Sequence, residues 1–215
     1  YASISPAVVR CGWGLERNRN GGSAVAAVLA LPAVAGKFGV RGGGYTLSNS
    51  SAWKMNAESI SGPEAPTRTI NMNRLGAALT ASSPKPIHLL FVYNSNALMT
   101  TPNQTLVRRG LGREDLFTIV FDQVLTDTAR YADLVLPATT FLEHRELARG
   151  YGAFVLQSIA PVIDPVGQAR SNYSVFGDLA ARTGVASADE IPTEEEAIAQ
   201  ILDSSGRGAD LTAEL

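Results

Sequence analysis

The 215-residue sequence is poor in the residues that build metal sites and disulfides. It has one cysteine, Cys11, and two histidines, His88 and His144, which lie far apart in the chain. These counts exclude an internal disulfide and a Cys-x-x-Cys metal or iron–sulfur site within the chain, and neither histidine stands at a metal-ligand spacing. We therefore predict no metal-ligating residue, and we interpret Cys11 as a small buried apolar residue at the end of a strand.

Charge is also scarce. Charged residues make up 18% of the sequence and the formal net charge is -2, so no nucleic-acid partner is indicated. The apolar stretch 23–36 is shorter than the ~20 residues that span a bilayer, which argues against membrane insertion and favours a buried helix with a kink or stop near Pro32. Low charge, 20 glycines and a first residue other than Met lead us to expect a piece of a larger protein.

Short runs rich in β-branched and aromatic residues alternate with helical patterns. We predict buried parallel strands at 7–11, 87–93, 116–122 and 133–136. We predict helices at 22–35, at 102–110 with Pro102 in its first turn and Gly110 at its end, at 172–183 between Ser171 and Gly184, and after a capping box of Thr193 and Glu196. This alternation predicts an α/β fold, with an open, mostly parallel sheet and helices on both faces, as in dinucleotide-binding domains.

Two stretches interrupt the alternation. Residues 37–85 are rich in Gly, Ser, Asn and Pro, which predicts an irregular insertion that lines a ligand or packs on a missing domain. Residues 143–170 are interpreted as an extended excursion. We assign 1–185 to one α/β domain that contains the insertion, and 186–215 to a C-terminal helix and tail that lead to a further domain.

Small and hydrogen-bonding residues follow each predicted strand, where open parallel sheets bind their ligands. They are Gly12 and Gly14 after the first strand, Asn94, Asn96 and Thr100 after the second, Asp122 at the end of the third, and Thr139 and Thr140 after the fourth. We expect these strand ends to face one crevice. Turn formation and helix capping are sufficient explanations for any single strand end, but less so for all four together.

The chemistry that these residues indicate is binding. Gly12 and Gly14 allow the backbone to approach a phosphate, and Arg17 can pair with a pyrophosphate oxygen unless it is only a surface arginine. The Asp122 carboxylate can accept two parallel N–H donors, such as those of guanine, although capping of the turn at 126–131 explains it equally well.

Catalytic residues are not indicated. The chain has no Gly-x-Ser-x-Gly motif and no phosphate-loop lysine, and no nucleophile stands with a base and an orienting group. The charged run 143–146 is interpreted as a solvated face.

Three segments resemble the catalytic subunit of molybdopterin oxidoreductases of the dimethyl-sulfoxide-reductase type. They are residues 12–44, 93–103 and 116–143. The first is similar to the family's Gly-x-Gly…Arg-x-x-Asn-Gly helix and the glycine-rich segment after it. The second is similar to the family's Asn-Pro turn, with Asn96 at the Asn and Ala97 in place of Pro. The third matches the pattern of strand, Asp, Thr-x-Thr-Ala, Ala-Asp-x-Val-Leu-Pro and Glu.

The resemblance implies a molybdenum or tungsten ion between two molybdopterin guanine dinucleotides, the bis form of the cofactor. The cofactor-binding residues that we predict are Gly12, Trp13, Gly14, Arg17, Asn94, Asn96, Thr100, Phe121, Asp122 and Asn172. The metal ligand and any iron–sulfur cysteines are expected upstream, and a barrel-like domain downstream. The implied partners are the remaining domains of the same polypeptide and electron-transfer subunits. The complete enzyme would carry out two-electron redox or oxygen-atom transfer, and this chain alone would have no redox activity.

Two other functions fit the predicted fold. An NAD(P)-binding oxidoreductase domain is the first, but Arg17 stands where its fingerprint has a third glycine, and no acidic residue closes a second strand about 20 residues later. The second is a domain of the same fold that binds no nucleotide and serves assembly.

Overall fold

The computed structural model describes residues 1–15, 17–46, 67–150 and 156–203. The chain forms two compact units. The first is drawn from Tyr1–Ile60, Leu147–Ser158 and Ile198–Leu215, and the second from Ser61–Glu146 and Ile159–Ala197. Across the described ranges, no helix is both long enough and apolar enough to cross a membrane.

The first unit contains a parallel pair of short strands and one helix. Strand β1 (Val8–Arg10) pairs with β2 (Gly44–Thr46), and helix α1 (Gly21–Val34) connects them. A strand and a helix are therefore present at the predicted positions 7–11 and 22–35, and Cys11 is buried as expected, but the strand itself is not buried, since Val8 is 53% exposed. Pro32 lies inside α1, two residues before its end, which agrees with a stop at this point.

The prediction that α1 is buried is wrong for this chain. Leu31 is 51% exposed and Val34 is 84% exposed, whereas Gly21 and Pro32 are the buried residues of the helix. The physical reason is geometric. Apolar side chains surround α1, and two strands of three residues each are too small to cover a helix of 14 residues.

The second unit is built on a three-stranded parallel sheet. Its strands are β3 (Leu89–Tyr93), β4 (Phe117–Asp122) and β5 (Leu134–Pro137), in the order β3-β4-β5. The helices are α2 (Leu75–Thr80), α3 (Ala97–Thr100), α4 (Gln104–Leu111) and α5 (Asn172–Thr183). Helix α6 (Glu194–Leu202) begins in this unit, and its residues from Ile198 onward belong to the first unit. Single 3-10 turns lie at Met72–Arg74, Ala129–Tyr131 and Ala188–Glu190. Strands are therefore present at the predicted positions 87–93, 116–122 and 133–136, but β3 and β5 are less buried than predicted: Leu89 is 58% and Leu134 43% exposed.

Helices cover both faces of this sheet, as predicted. Neighbouring residues of β4 point to opposite faces. Val120 is fully buried and packs in a cluster with Ala97 and Ala129, which belong to the connections on one face. Phe121 is fully buried in a second cluster with Val175 of α5 on the other face. The α/β class with a parallel sheet is therefore correct.

Local capping signals placed most helix ends correctly. The Ser171 side chain accepts from Ser174 N, and Gly184 ends α5 with a φ of 72°. The Thr193 and Glu196 side chains bond reciprocally to each other's backbone N–H at 3.2 and 2.7 Å.

The helix predicted at 102–110 is shifted. It begins at Gln104, because the Asn103 side chain caps it, and ends at Leu111 before Gly112. Pro102 therefore lies just before the helix, and Gly110 lies inside it.

The stretch 37–85 is less irregular than its composition suggests. It contains β2 and α2, and Leu79 of α2 is fully buried in a core cluster with Leu98, Val107, Leu111 and Leu116. Part of the predicted insertion therefore packs in the second unit, while residues 47–66 lie outside the described residues. The excursion at 143–170 contains β6 (Glu146–Arg149) and β7 (Leu156–Ile159), which form a two-stranded sheet.

Candidate nucleotide-binding site

The carboxyl ends of β3, β4 and β5 lie along one edge of the sheet. Tyr93 pairs with Phe121, and Asp122 pairs with Pro137. Asn94 therefore follows in register beside Asp122, since adjacent strands lie about 4.8 Å apart. The expected convergence holds for these three strand ends. The end of β1 belongs to the other unit, and its place in a common crevice stays a prediction.

The start of helix α5 joins the same edge. Ala138 and Arg170 form a parallel bridge, in which Arg170 N donates to Pro137 O at 3.2 Å and Thr139 N donates to Arg170 O at 3.1 Å. The chain then passes through the cap Ser171 into α5, whose first residue is Asn172. Asn172 is therefore delivered beyond the end of β5.

Asp122 is held at this edge by its own backbone neighbour. Its Oδ1 accepts from Gln123 N at 2.7 Å, and none of the hydrogen bonds of the described residues involves Oδ2. The turn at 126–131 is capped by Thr126, whose Oγ1 accepts from Ala129 N at 3.2 Å. The alternative explanation, that Asp122 caps this turn, is therefore wrong. The half-buried Asp122 keeps one carboxylate oxygen for another donor.

Asn96 and Thr100 are engaged in the protein itself. Asn96 Oδ1 accepts from Thr128 Oγ1 at 2.9 Å, and its Nδ2 donates to Asp127 Oδ2 at 3.3 Å. The Thr100 hydroxyl donates back to Asn96 O at 2.9 Å. Because Thr128 is fully buried, the two bonds of the Asn96 side chain fix the segment after β3 against the segment after β4. Asn96 and Thr100 therefore help to shape the edge, and their contact with a cofactor stays a prediction.

Phe121 and Asn94 also have structural explanations. The Phe121 side chain is fully buried against Val175, with its ring centroid 6.4 Å from that of Phe176. Its ring therefore belongs to the core. Asn94 has a φ of 51°, a left-handed conformation in which Asn is favoured over most residues. Tyr93, which is not among the predicted binding residues, has a half-exposed ring whose centroid lies 4.9 Å from that of Phe176.

The glycine turn of the first unit is open. Among the described residues, a Cβ added to Gly12 or Gly14 would meet no atom within 4 Å, and neither residue has a positive φ. Neither packing nor backbone conformation therefore requires glycine here, which leaves the space beside the backbone available to a phosphate. The turn is closed by Asn18 Nδ2, which donates to Gly14 O at 2.7 Å.

Trp13 and Arg17 project from this turn. Trp13 is 52% exposed, and Arg17 is exposed and makes no hydrogen bond or ion pair with the residues that the structure describes. Helix α1 follows with no side-chain cap on Asn20 and no acidic residue in its first turn. A helix start with these features favours a bound anion.

Comparison with known proteins identifies the family. A model of the family described as molybdopterin oxidoreductase matches residues 5–182. The chain belongs to the molybdopterin oxidoreductase family. The resemblance predicted from its motifs is therefore confirmed, and membership implies a molybdenum–pterin cofactor.

The relatives of this family member are much longer proteins. The chain is 38% identical over 207 residues to the probable oxidoreductase YoaE of Bacillus subtilis (strain 168), covering 94% of the chain and 30% of that protein. It is 26% identical over 209 residues to the dimethyl sulfoxide/trimethylamine N-oxide reductase of Cereibacter sphaeroides, covering 82% and 25%. Its fold is similar to that of acetylene hydratase from Pelobacter acetylenicus, with a TM-score of 0.54 at 28% identity, covering 64% of the chain and 19% of that structure.

One residue of the family pattern has a role that sequence reasoning missed. Glu143 is only 7% exposed, so the prediction that it lies on a solvated face is wrong. Its Oε2 accepts from Thr140 N and Oγ1, both at 2.7 Å, and its Oε1 accepts from Val166 N at 2.7 Å. The backbone N–H groups of Thr140 and Val166, followed by the Thr140 hydroxyl, lower the pKa of Glu143. The signal in the sequence was Thr-x-x-Glu, the spacing of a capping box.

The residues after β5 carry a second polar contact. Thr139 Oγ1 and His144 Nδ1 are hydrogen-bonded at 2.9 Å, and His144 Nε2 lies 3.6 Å from Glu146 Oε2. Within the described ranges, no group of three or more His, Cys, Asp or Glu side chains is placed to hold a metal ion.

Proposed function

We propose that this chain is the segment of a molybdenum- or tungsten-pterin oxidoreductase that binds the guanosine–phosphate arm of a molybdopterin guanine dinucleotide. The observation that carries the proposal is Asp122, held at the sheet edge with one carboxylate oxygen left for a ligand donor. The complete polypeptide would hold the metal between two such dinucleotides. When bound, the cofactor supplies two-electron redox or oxygen-atom-transfer chemistry, while the protein binds and orients it.

Asp122 is the proposed reader of guanine. The bond from Gln123 N fixes the carboxylate, and its free oxygen can accept an N–H of the guanine Watson–Crick edge. Adenine presents an acceptor at the ring position where guanine presents N1–H, so the same carboxylate disfavours adenine. Asn172, at the start of α5, is the proposed second polar contact at this edge.

The glycine turn is the proposed phosphate site. Open space beside Gly12 and Gly14 lets a phosphate approach the backbone, and the uncapped start of α1 supplies N–H donors. Arg17 adds a positive charge that lacks a partner among the described residues. In this proposal the side chains of Trp13 and Arg17 contact the ligand, and the two glycines let it approach the backbone because they have no side chain.

The remaining domains of the same polypeptide are the proposed partners, together with electron-transfer subunits. The exposed apolar side chains of α1 support this part of the proposal, because a helix with Leu31 51% and Val34 84% exposed suits a covered position. The metal ligand and any iron–sulfur cysteines would then lie in the other segments.

Isothermal titration of the complete polypeptide, prepared from cells that do not make the pterin cofactor, tests the proposal. We expect GDP to bind in the micromolar range and NADH to give no response. Binding of NADH instead would favour an NAD(P) domain. Binding of neither would favour the assembly role.

Asp122→Ala tests base reading. We expect GDP affinity to fall by about tenfold or more, since a hydrogen bond to a charged group contributes ~1.5–3 kcal/mol, with little change for ADP. Asp164→Ala is the matched control, because Asp164 is exposed and belongs to the same unit. An equal loss for ADP and GDP would show that Asp122 does not distinguish the base.

A further inference from the structure

Glu143 joins two segments that are distant in the sequence. Its carboxylate receives Thr140 N and Oγ1 on one side and Val166 N, 23 residues further along the chain, on the other. Glu143 N also donates to Thr140 O at 3.0 Å, which closes the turn from 140 to 143. With three donors on a carboxylate that is 7% exposed, this is a preorganised clamp between the two segments.

The clamp lies next to the β-bridge between Ala138 and Arg170 (the rung), which positions the start of helix α5. Ala138 lies two residues before Thr140, and Arg170 lies four residues after Val166. Between them, Ala169 N donates to Val166 O at 3.1 Å and Gly167 has a φ of 62°, so the connection is a tight turn. A shift of Val166 would therefore be passed on to Arg170.

The same rung is bonded to the Asp122 strand end. Ala138 N donates to Asp122 O at 3.1 Å, and Gln123 Nε2 donates to Thr139 O at 3.1 Å. On its other side Arg170 is followed by the cap Ser171 and by Asn172. Glu143 thus holds in place the turn from Val166 to Arg170, which in turn sets the distance between Asp122 and Asn172.

We infer that Glu143 is a positioning residue of the nucleotide site, which holds Asn172 and the start of α5 in register with Asp122. This inference rests on the proposed function. Glu143 itself does not touch the ligand: its two carboxylate oxygens are occupied by Thr140 and Val166. Replacing the carboxylate by an amide puts an NH₂ group against an N–H donor, so one end of the clamp is lost while the volume is kept.

A double-mutant cycle with GDP as the probe tests the inference in the complete, cofactor-free polypeptide. We expect Glu143→Gln to weaken GDP binding by about tenfold in the wild-type background and by less than about twofold in an Asn172→Ala background. In the second background the contact of the Asn172 side chain is already absent, so a shift of residue 172 has no contact left to disturb. Amide exchange at Val166 and Arg170 should become faster in Glu143→Gln. Glu114→Gln, at an exposed glutamate near the opposite end of β4, should change neither.

The outcomes separate the two hypotheses. No GDP binding by the wild type would overturn the proposed function, and the positioning role with it. GDP binding that is unchanged by Glu143→Gln, or weakened by the same factor in both backgrounds, would overturn the positioning role alone. If Glu143→Gln does not fold, Glu143→Asp replaces it: its shorter carboxylate reaches one segment but not both. A GDP affinity equal to that of the wild type would then contradict the inference.

Discussion

The glycine turn of the first unit and the sheet edge of the second differ in how far their groups are already satisfied by the protein. Around Gly12 and Gly14, no atom of the part of the chain that the structure describes lies within 4 Å of an added Cβ, and Arg17 is exposed. At the sheet edge, the Asn96 side chain is hydrogen-bonded to Asp127 and Thr128 of a neighbouring segment, and the Thr100 hydroxyl is hydrogen-bonded to Asn96 O of its own segment. The turn therefore has space and a charge that the described residues do not use, whereas most polar groups at the sheet edge bond within the protein and only a few, such as an oxygen of Asp122, do not.

The same contrast appears in the glycines of the helices. Gly76 of α2 faces α4 so closely that a Cβ would lie 2.8 Å from Leu106 Cβ and 2.8 Å from Val107 N. Gly22 of α1 has open space around the position of a Cβ. Gly76 therefore permits two helices to touch, whereas Gly22 meets no packing need among the described residues.

The largest expected effect is on that helix contact. Gly76→Ala should lower the free energy of unfolding by about 2 kcal/mol, because the new methyl group meets backbone atoms that cannot move alone. Gly22→Ala should change it little, or raise it by up to ~1 kcal/mol through helix propensity. Urea denaturation of both variants measures the difference. Similar values for the two would remove the contrast between the units.

The sequence predicted those features that depend on neighbours in the chain. The strand runs, the Ser171 cap, the αL glycine at 184 and the Thr193 capping box are all local, and the structure confirms them. The membership of the family could also be predicted, because motifs such as Ala-Asp-Leu-Val-Leu-Pro are contiguous.

Burial could not be predicted in the same way. Glu143 is buried because Val166 reaches it from 23 residues away, and Phe121 is buried because α5 returns to the sheet. Conversely, α1 is apolar enough for a core, but in the described part of its unit it is accompanied by two strands of three residues each. Such facts depend on distant segments, as do the partners of Asn96, and a single sequence carries no direct record of them. The ligand contacts of Asp122 and Arg17 stay predictions.

An intermediate loss of stability is expected at the sheet edge, where Asn96 joins two segments. Asn96→Ala removes the acceptor of the buried Thr128 hydroxyl and should cost about 1–2 kcal/mol of stability. Asn73→Ala is the control, since Asn73 is an exposed asparagine of the same unit, and its value should stay within about 0.5 kcal/mol of the wild type. Thermal and urea unfolding measure both. A large loss of GDP affinity by Asn96→Ala without loss of stability would show that Asn96 binds the ligand rather than joining the two segments.

The smallest effect on stability, and the sharpest division between the two regions, is expected at Arg17. Since Arg17 has no partner among the described residues, Arg17→Ala should leave the free energy of unfolding within about 0.5 kcal/mol of the wild type. If its guanidinium pairs with a phosphate, GDP should bind about tenfold more weakly, and guanosine, which has no phosphate, should be unaffected. Arg17→Lys should recover part of the loss, because it keeps the charge but not the planar fork. Arg109→Ala, at an exposed arginine of the second unit, is the control. An Arg17→Ala variant that is destabilised while binding GDP normally would show that Arg17 stabilises the protein, as Asn96 does, and does not bind the phosphate. The glycine turn and the sheet edge would then no longer differ in how their polar groups are used.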